Sequence, residues 1–201
     1  MIAKLLRRVF AVFFVLLAIG LLIFFALPPL LIAHSNTPKA DVIVNFSVDA
    51  RSKAYHYIAW LYREGVAKKV VTVSSQVSHE TYPADFVRDR LVALGVRPED
   101  SQSLHVPILA CRAEAMAETA KYLKSRGARS ALIICQPEDS RHLGWVASRV
   151  LGREGIEVEI AYAPDDFKGI TADWYSTHWK VQRFVDEAVN IGLDQFYSEC
   201  R

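Results

Sequence analysis

From residue 9 to residue 27 the chain is an unbroken run of apolar residues and Gly, and no Lys, Arg, Asp or Glu occurs between Arg8 and Lys39. All but Ala11, Ala18, Gly20 and Ala26 in that run are Leu, Ile, Phe or Val. A helix needs about 20 such residues to cross the hydrocarbon core of a bilayer. A surface helix of a soluble domain would show a polar face, and this run has none. The pattern therefore predicts a transmembrane helix over 9–32, preceded by a short N-terminal segment (1–8) and followed by a polar link (33–39). A cleaved leader is the competing reading, but its apolar region is usually about 7–15 residues and ends in small residues. The stretch Pro28-Pro29-Leu30-Leu31-Ile32-Ala33-His34 offers no clear A-x-A site.

Beyond the link the periodicity changes. Residues 40–46 (ADVIVNF) and 69–73 (KVVTV) are short, β-branched runs that read as buried strands, joined later by 104–108, 130–135 (SALIIC) and 158–162. Between them lie helical patterns: Ala54, Tyr57, Ile58, Leu61 and Tyr62 share one helix face, 82–94 ends at Gly95, 112–126 ends at Gly127, and 139–151 follows the fourth strand. Residues 173–197 are expected to be largely helical, with Gly192 a candidate break. Five strands alternating with helices imply right-handed crossovers and a mostly parallel sheet covered on both faces. The expected fold is thus α/β: one Rossmann-like three-layer domain over 40–201, behind one transmembrane helix.

Charge adds orientation. Lys4, Arg7 and Arg8 precede the apolar run, and positive flanks stay in the cytoplasm, so residues from about 33 onward are expected outside it. In a bacterium with two membranes that compartment is the periplasm. The net charge of +2 points to neither a nucleic-acid surface nor an acidic-substrate funnel. The three cysteines, Cys111, Cys135 and Cys200, show no C-x-x-C or metal spacing, and Cys135 closes an apolar run as a buried thiol would.

In parallel sheets ligands sit beyond the carboxyl ends of the strands, where the strand order reverses. Four loops therefore matter: 45–51, 74–80, 109–114 and 136–142. Arg51 opens a helix and suits an anion, although no glycines cradle a phosphate there. Ser74 offers a hydroxyl at the end of the second strand. Arg112 faces the same sheet end, and Glu114 in the first turn complements the helix dipole. Asp139 is a candidate cap of the next helix, and His142 a candidate proton carrier. No metal pattern, Walker sequence or nucleophile elbow occurs, so no metal is expected, and the identity of any cofactor stays open.

Taken in order, Ala40-Asp41-Val42-Ile43-Val44, Arg51, Ala59-x-Leu61-Tyr62-x-x-Gly65-x-Ala67, Val70-Val71-Thr72-Val73-Ser74, Leu94-Gly95-Val96 and Glu114 thirteen residues before Gly127 resemble the SanA/YdcF/ElyC-like family of bacterial envelope proteins. Leu132-Ile133-Ile134, Trp174, Phe184 and Glu187-Ala188-Val189 continue the likeness. The resemblance implies a Rossmann-like domain and a role in envelope integrity or cell-wall precursor metabolism. It departs where that family has glycines after the first strand (here Asn45-Phe46-Ser47) and Ser-Gly-Gly after the second (here Ser74-Ser75-Gln76). Arg112 stands where that family has Thr, and Asp139 aligns with its His.

Two expectations follow. In the first, an extracytoplasmic domain binds a phosphorylated, nucleotide-like or lipid-linked small molecule, with Arg51, Ser74, Arg112 and Asp139 as ligand-binding groups and Glu114 and His142 as proton carriers. In the second, the site is degenerate and the chain is a membrane-tethered scaffold. The partner common to both is the lipid bilayer, through residues 9–32.

Overall fold

A computed structural model describes residues 2–48, 54–76, 81–107, 112–171 and 174–196. In chain order the elements are α1 (Ile2–Leu31), β1 (Val42–Asn45), α2 (Ala54–Arg63), β2 (Lys69–Ser75), α3 (Pro83–Ala93), β3 (Ser101–Val106), α4 (Arg112–Ser125), β4 (Ser130–Ile134), α5 (Ser140–Arg153), β5 (Glu157–Ala161), α6 (Pro164–Thr171) and α7 (His178–Phe196). Short 3-10 turns cover Pro98–Asp100, Pro137–Asp139 and Trp174–Ser176. The strands form one sheet in the order β3-β2-β1-β4-β5, and every neighbouring pair is parallel.

The core follows from the two-residue period of the strands. Val42, Val44, Val71, Val73 and Ile133 pack against Met116 and Leu123 of α4 and Leu143, Val146 and Leu151 of α5. Ile43, Val70, Leu132 and Ile134 turn the other way, onto Ile58 and Leu61 of α2 and Val87 and Leu91 of α3. One layer of helices on each face makes this a three-layer, Rossmann-like α/β sandwich. Asp41 fastens the amino edge: its carboxylate accepts the backbone N–H groups of Arg129 (2.7 Å) and Ser130 (3.0 Å). Those bonds, the one from Arg129 above all, hold its carboxyl below the usual range against the opposing effect of burial. α3 and α4 stop where Gly95 (φ 97°) and Gly127 (φ 69°) take left-handed backbone that a Cβ would disfavour.

Several expectations shift. The third strand runs from Ser101, upstream of the expected 104, because an edge strand pairs through its backbone and needs no apolar run. Helix α5 begins at Ser140 because Pro137–Asp139 forms a 3-10 turn first. α6 was not expected, and α7 continues through Gly192 without a break. The segment at 33–39 is no free tether. Ala33 donates its N–H to Ser140 Oγ (2.8 Å), and Tyr162 donates its hydroxyl to the Ala33 carbonyl (3.2 Å). Asn36 donates its N–H to the Ile160 carbonyl (3.0 Å), along the outer edge of β5.

Within α1, residues Phe10–Leu31 are long and apolar enough to cross a membrane. The C-terminal turns of that helix dock on the domain: Phe24, Leu27, Leu31 and Ile32 pack with Ile170, Trp174 and Phe184, and with Val181, Ala188 and Ile191 of α7. The Arg141 guanidinium donates to the carbonyls of Pro29 (3.2 Å) and Ile32 (3.0 Å), placing a cation at the negative end of the helix. Because Ser140, Arg141 and Tyr162 all follow strand ends, α1 meets the domain at the carboxyl edge of the sheet.

Ile133 is fully buried in β4, between two partner strands. Ile133→Ala removes its packing against α4 and α5 and is expected to destabilise the domain by about 2–5 kcal/mol, read by urea denaturation of the full chain in detergent.

Candidate functional site

A cavity of about 240 Å³ opens beyond the carboxyl ends of β1, β2 and β3. Its walls are largely apolar, with Phe46, Val73, Val106 and Leu143, and its polar groups include Ser74, Arg112 and Asp139. Ser74, on the last turn of pleat before the loop, accepts the Ala84 N–H at 2.9 Å. It thereby satisfies an N-terminal donor of α3 that Tyr82, at the cap position, leaves unbonded by its side chain. Ser74 is thus both cavity wall and structural cap.

Arg112, the first residue of α4, is the hub. Nη2 donates to Glu187 Oε2 (2.6 Å) and to Asp139 Oδ1 (3.2 Å), while Nη1 donates to Glu187 Oε1. The pairing with Glu187 is bidentate, the strongest geometry available to a guanidinium and a carboxylate. Nη1 also lies 2.7 Å from His142 Nδ1, which is itself 2.9 Å from Glu187 Oε1. One ring nitrogen cannot both accept from Arg112 and donate to Glu187, so the position of a single proton decides which bond forms.

The two carboxylates of this cluster are pushed apart. Burial alone would raise the Glu187 carboxyl, whose side chain is 2% exposed, but hydrogen bonds from His142 and Arg112 and the guanidinium charge hold it down at about 2. Burial raises Asp139, the negative charges of Glu187 and Glu138 add to that, and Arg112 opposes them; the result is a carboxyl pushed up to about 7. A third of the Asp139 side chain stays exposed, which tempers the shift and leaves its direction upward. Asp139 is therefore the group here suited to hold or release a proton near neutrality.

A second chain of contacts ties the loops after β1 and β4. Ser47 donates its N–H to Asn45 Oδ1 (2.9 Å), Gln136 Nε2 donates to Ser47 Oγ (2.6 Å), and Arg183 Nη1 donates to Glu138 Oε1 (2.6 Å). Strand order reverses between β1 and β4. Side chains bridge that switch point, and the open cavity lies on its β1–β3 side.

The structure brings Ser74, Arg112 and Asp139 to one cavity. His142 is buried against Arg112 and does not itself line the cavity. Glu114 sits exposed on the first turn of α4 and is not among the cavity's lining residues, and Arg51 lies outside the described residues. Glu187 and Arg183 were not anticipated as site residues. In sequence a charged pair at i and i+4 reads as a solvated helix face, and only the fold shows their distant partners, Glu138 and Arg112. Among the described residues no group of three or more His, Cys, Asp or Glu is placed to hold a metal ion. The chain matches no protein-family model and no curated protein in sequence.

The raised Asp139 carboxyl has a sign that can be checked. Its stabilising contribution is complete below the unfolded value near 3.8 and is lost as pH rises through about 7. Thermal melts of the full chain are expected to show falling stability between those limits, with the slope flattened in Asp139→Asn.

Proposed function

We propose that the chain is a membrane-anchored envelope protein of the SanA/YdcF/ElyC-like kind. Its N-terminus is cytoplasmic, and its α/β domain, outside the cytoplasm, binds a small phosphorylated or nucleotide-like molecule in support of envelope biogenesis. The observation that carries this reading is the convergence of Ser74, Arg112 and Asp139 on one apolar-walled cavity at the carboxyl edge of a parallel sheet. The N-terminus of α4 adds its dipole at the position of Arg112. In this reading the guanidinium shares itself between Glu187 and the ligand, and Asp139 supplies or accepts the proton that the ligand's charge requires.

One observation favours a second reading. Arg112 already has a bidentate carboxylate partner in Glu187, so an incoming anion must compete with a buried ion pair. That arrangement also suits a membrane-tethered scaffold whose crevice has been closed by internal pairing.

Thermal denaturation of the full chain in detergent separates the two. A panel of inorganic phosphate, nucleotides, sugar phosphates and polyprenyl phosphates is expected to contain a ligand that stabilises by about 2.7 kcal/mol at a hundredfold excess over its Kd. The shift is expected to vanish in Arg112→Ala. A wild-type chain unmoved by every member of the panel supports the scaffold reading.

A further inference from the structure

The face of the domain beside α1 is apolar at a level set by the helix itself. Along α1, Phe10, Phe13, Phe14, Leu16, Leu22 and Phe25 are each more than half exposed, so this helix needs a cover that the described residues do not supply. Its docked end is different. Trp174 lies tilted by 34° against Phe24, with ring centroids 4.3 Å apart, and Tyr175 meets Phe25 edge-on at 6.1 Å. At about 1.5 Å rise per residue, those contacts lie roughly 10 Å back from Leu31 along the helix axis. If residues 9–27 fill the hydrocarbon core, Phe24 and Phe25 lie within about 5 Å of its outer boundary. Trp and Tyr concentrate at that depth because their rings are apolar and their N–H and O–H groups reach the headgroups.

Three further features lie beside the docked end of α1 and along α7. Val185 and Val189 of α7 remain 42% and 52% exposed, one turn apart, flanking the Val181 and Ala188 stripe that packs on α1. A cavity of about 480 Å³ runs beside the last turn of α1, between Pro28, Pro29 and Ile32 on one side and Tyr162 and Phe167 on the other. Arg141, bonded to the terminal carbonyls of α1, sets a cation where phosphate headgroups would be.

We propose that the Trp174–Ser176 turn and the outer stripe of α7, with Tyr175, Val185 and Val189, lie in the headgroup–acyl boundary of the bilayer that α1 crosses. The partner of this face is the lipid surface, and it holds the carboxyl edge of the sheet against the membrane. The inference rests on the reading of α1 as a membrane span. It adds that the domain lies on the bilayer, where a simple anchor would let it stand clear.

Spin labels on the full chain in nanodiscs of phosphatidylcholine and phosphatidylglycerol test this. Cys111→Ser and Cys200→Ser remove two thiols, and the buried Cys135 stays. Labels are then placed singly through Tyr175→Cys, Val189→Cys, Trp60→Cys and Val15→Cys, all at exposed positions. Helices of parallel crossovers run opposite to the strands, so Trp60, late in α2, sits toward the amino edge, away from α1's exit. Labels at Tyr175 and Val189 are expected to collide with oxygen severalfold more than with a water-soluble nickel complex, as at Val15, with the reverse at Trp60. Aqueous behaviour at either Tyr175 or Val189, with Val15 still in lipid, overturns the proposal and leaves the anchor standing. Aqueous behaviour at Val15 overturns the anchor and the proposal together.

Discussion

The carboxylate of Glu187, 2% exposed, lies against the guanidinium of Arg112 across 75 residues of sequence, and much of the molecule is arranged around that contact. A buried carboxylate without a partner is strongly unfavourable, and a bidentate guanidinium offsets that penalty only when the geometry is fixed. Fixing it requires α4, α5 and α7 to hold their places at once, because Asp139 and His142 complete the same cluster. α7 then has two jobs on two faces. Arg183 and Glu187 bind the loop after β4 and the start of α4, while Val181, Phe184 and Ala188 grip α1. The apolar N-terminal helix and the arginine of the crevice thus share α7 as a common support.

That coupling shapes the chemistry of the cavity. Arg112 brings one positive charge, answered by Glu187, and Asp139 adds a carboxyl whose pKa is pushed toward neutrality. With Asp139 protonated, the Arg112–Glu187–Asp139 set is neutral and presents a donor; with it ionised, the set is negative. The small volume and the apolar walls of Phe46, Val73, Val106 and Leu143 suit a compact group entering from the carboxyl edge. The same edge carries the exit of α1, on its β4–β5 side, away from the cavity's β1–β3 side.

The strands were legible because parallel strands buried on both faces are written as β-branched runs, and VIV, VVTV and ALII are such runs. The edge strand β3 was misplaced because S-Q-S-L-H-V carries little apolar signal. α6 was missed for a similar reason: PDDFKGIT is short and polar, and Ile170 is buried through packing on α1. That Ser74, Arg112 and Asp139 line one cavity was readable because strand ends fix where a crevice must be. Glu114 does not line that cavity because successive helix residues turn by about 100°, so its side chain points well away from that of Arg112 two positions earlier. Glu187 escaped because a Glu on an amphipathic helix looks like a solvated charge until its distant partner is known.

Arg112 and Glu187 act as one unit. A double-mutant cycle with Arg112→Met, Glu187→Met and the combined variant, read by urea denaturation of the full chain, tests it most directly. The account predicts strong non-additivity, with the double variant far less destabilised than the sum of the singles and a coupling of about 2 kcal/mol or more. Single effects that add to within about 0.5 kcal/mol would contradict it.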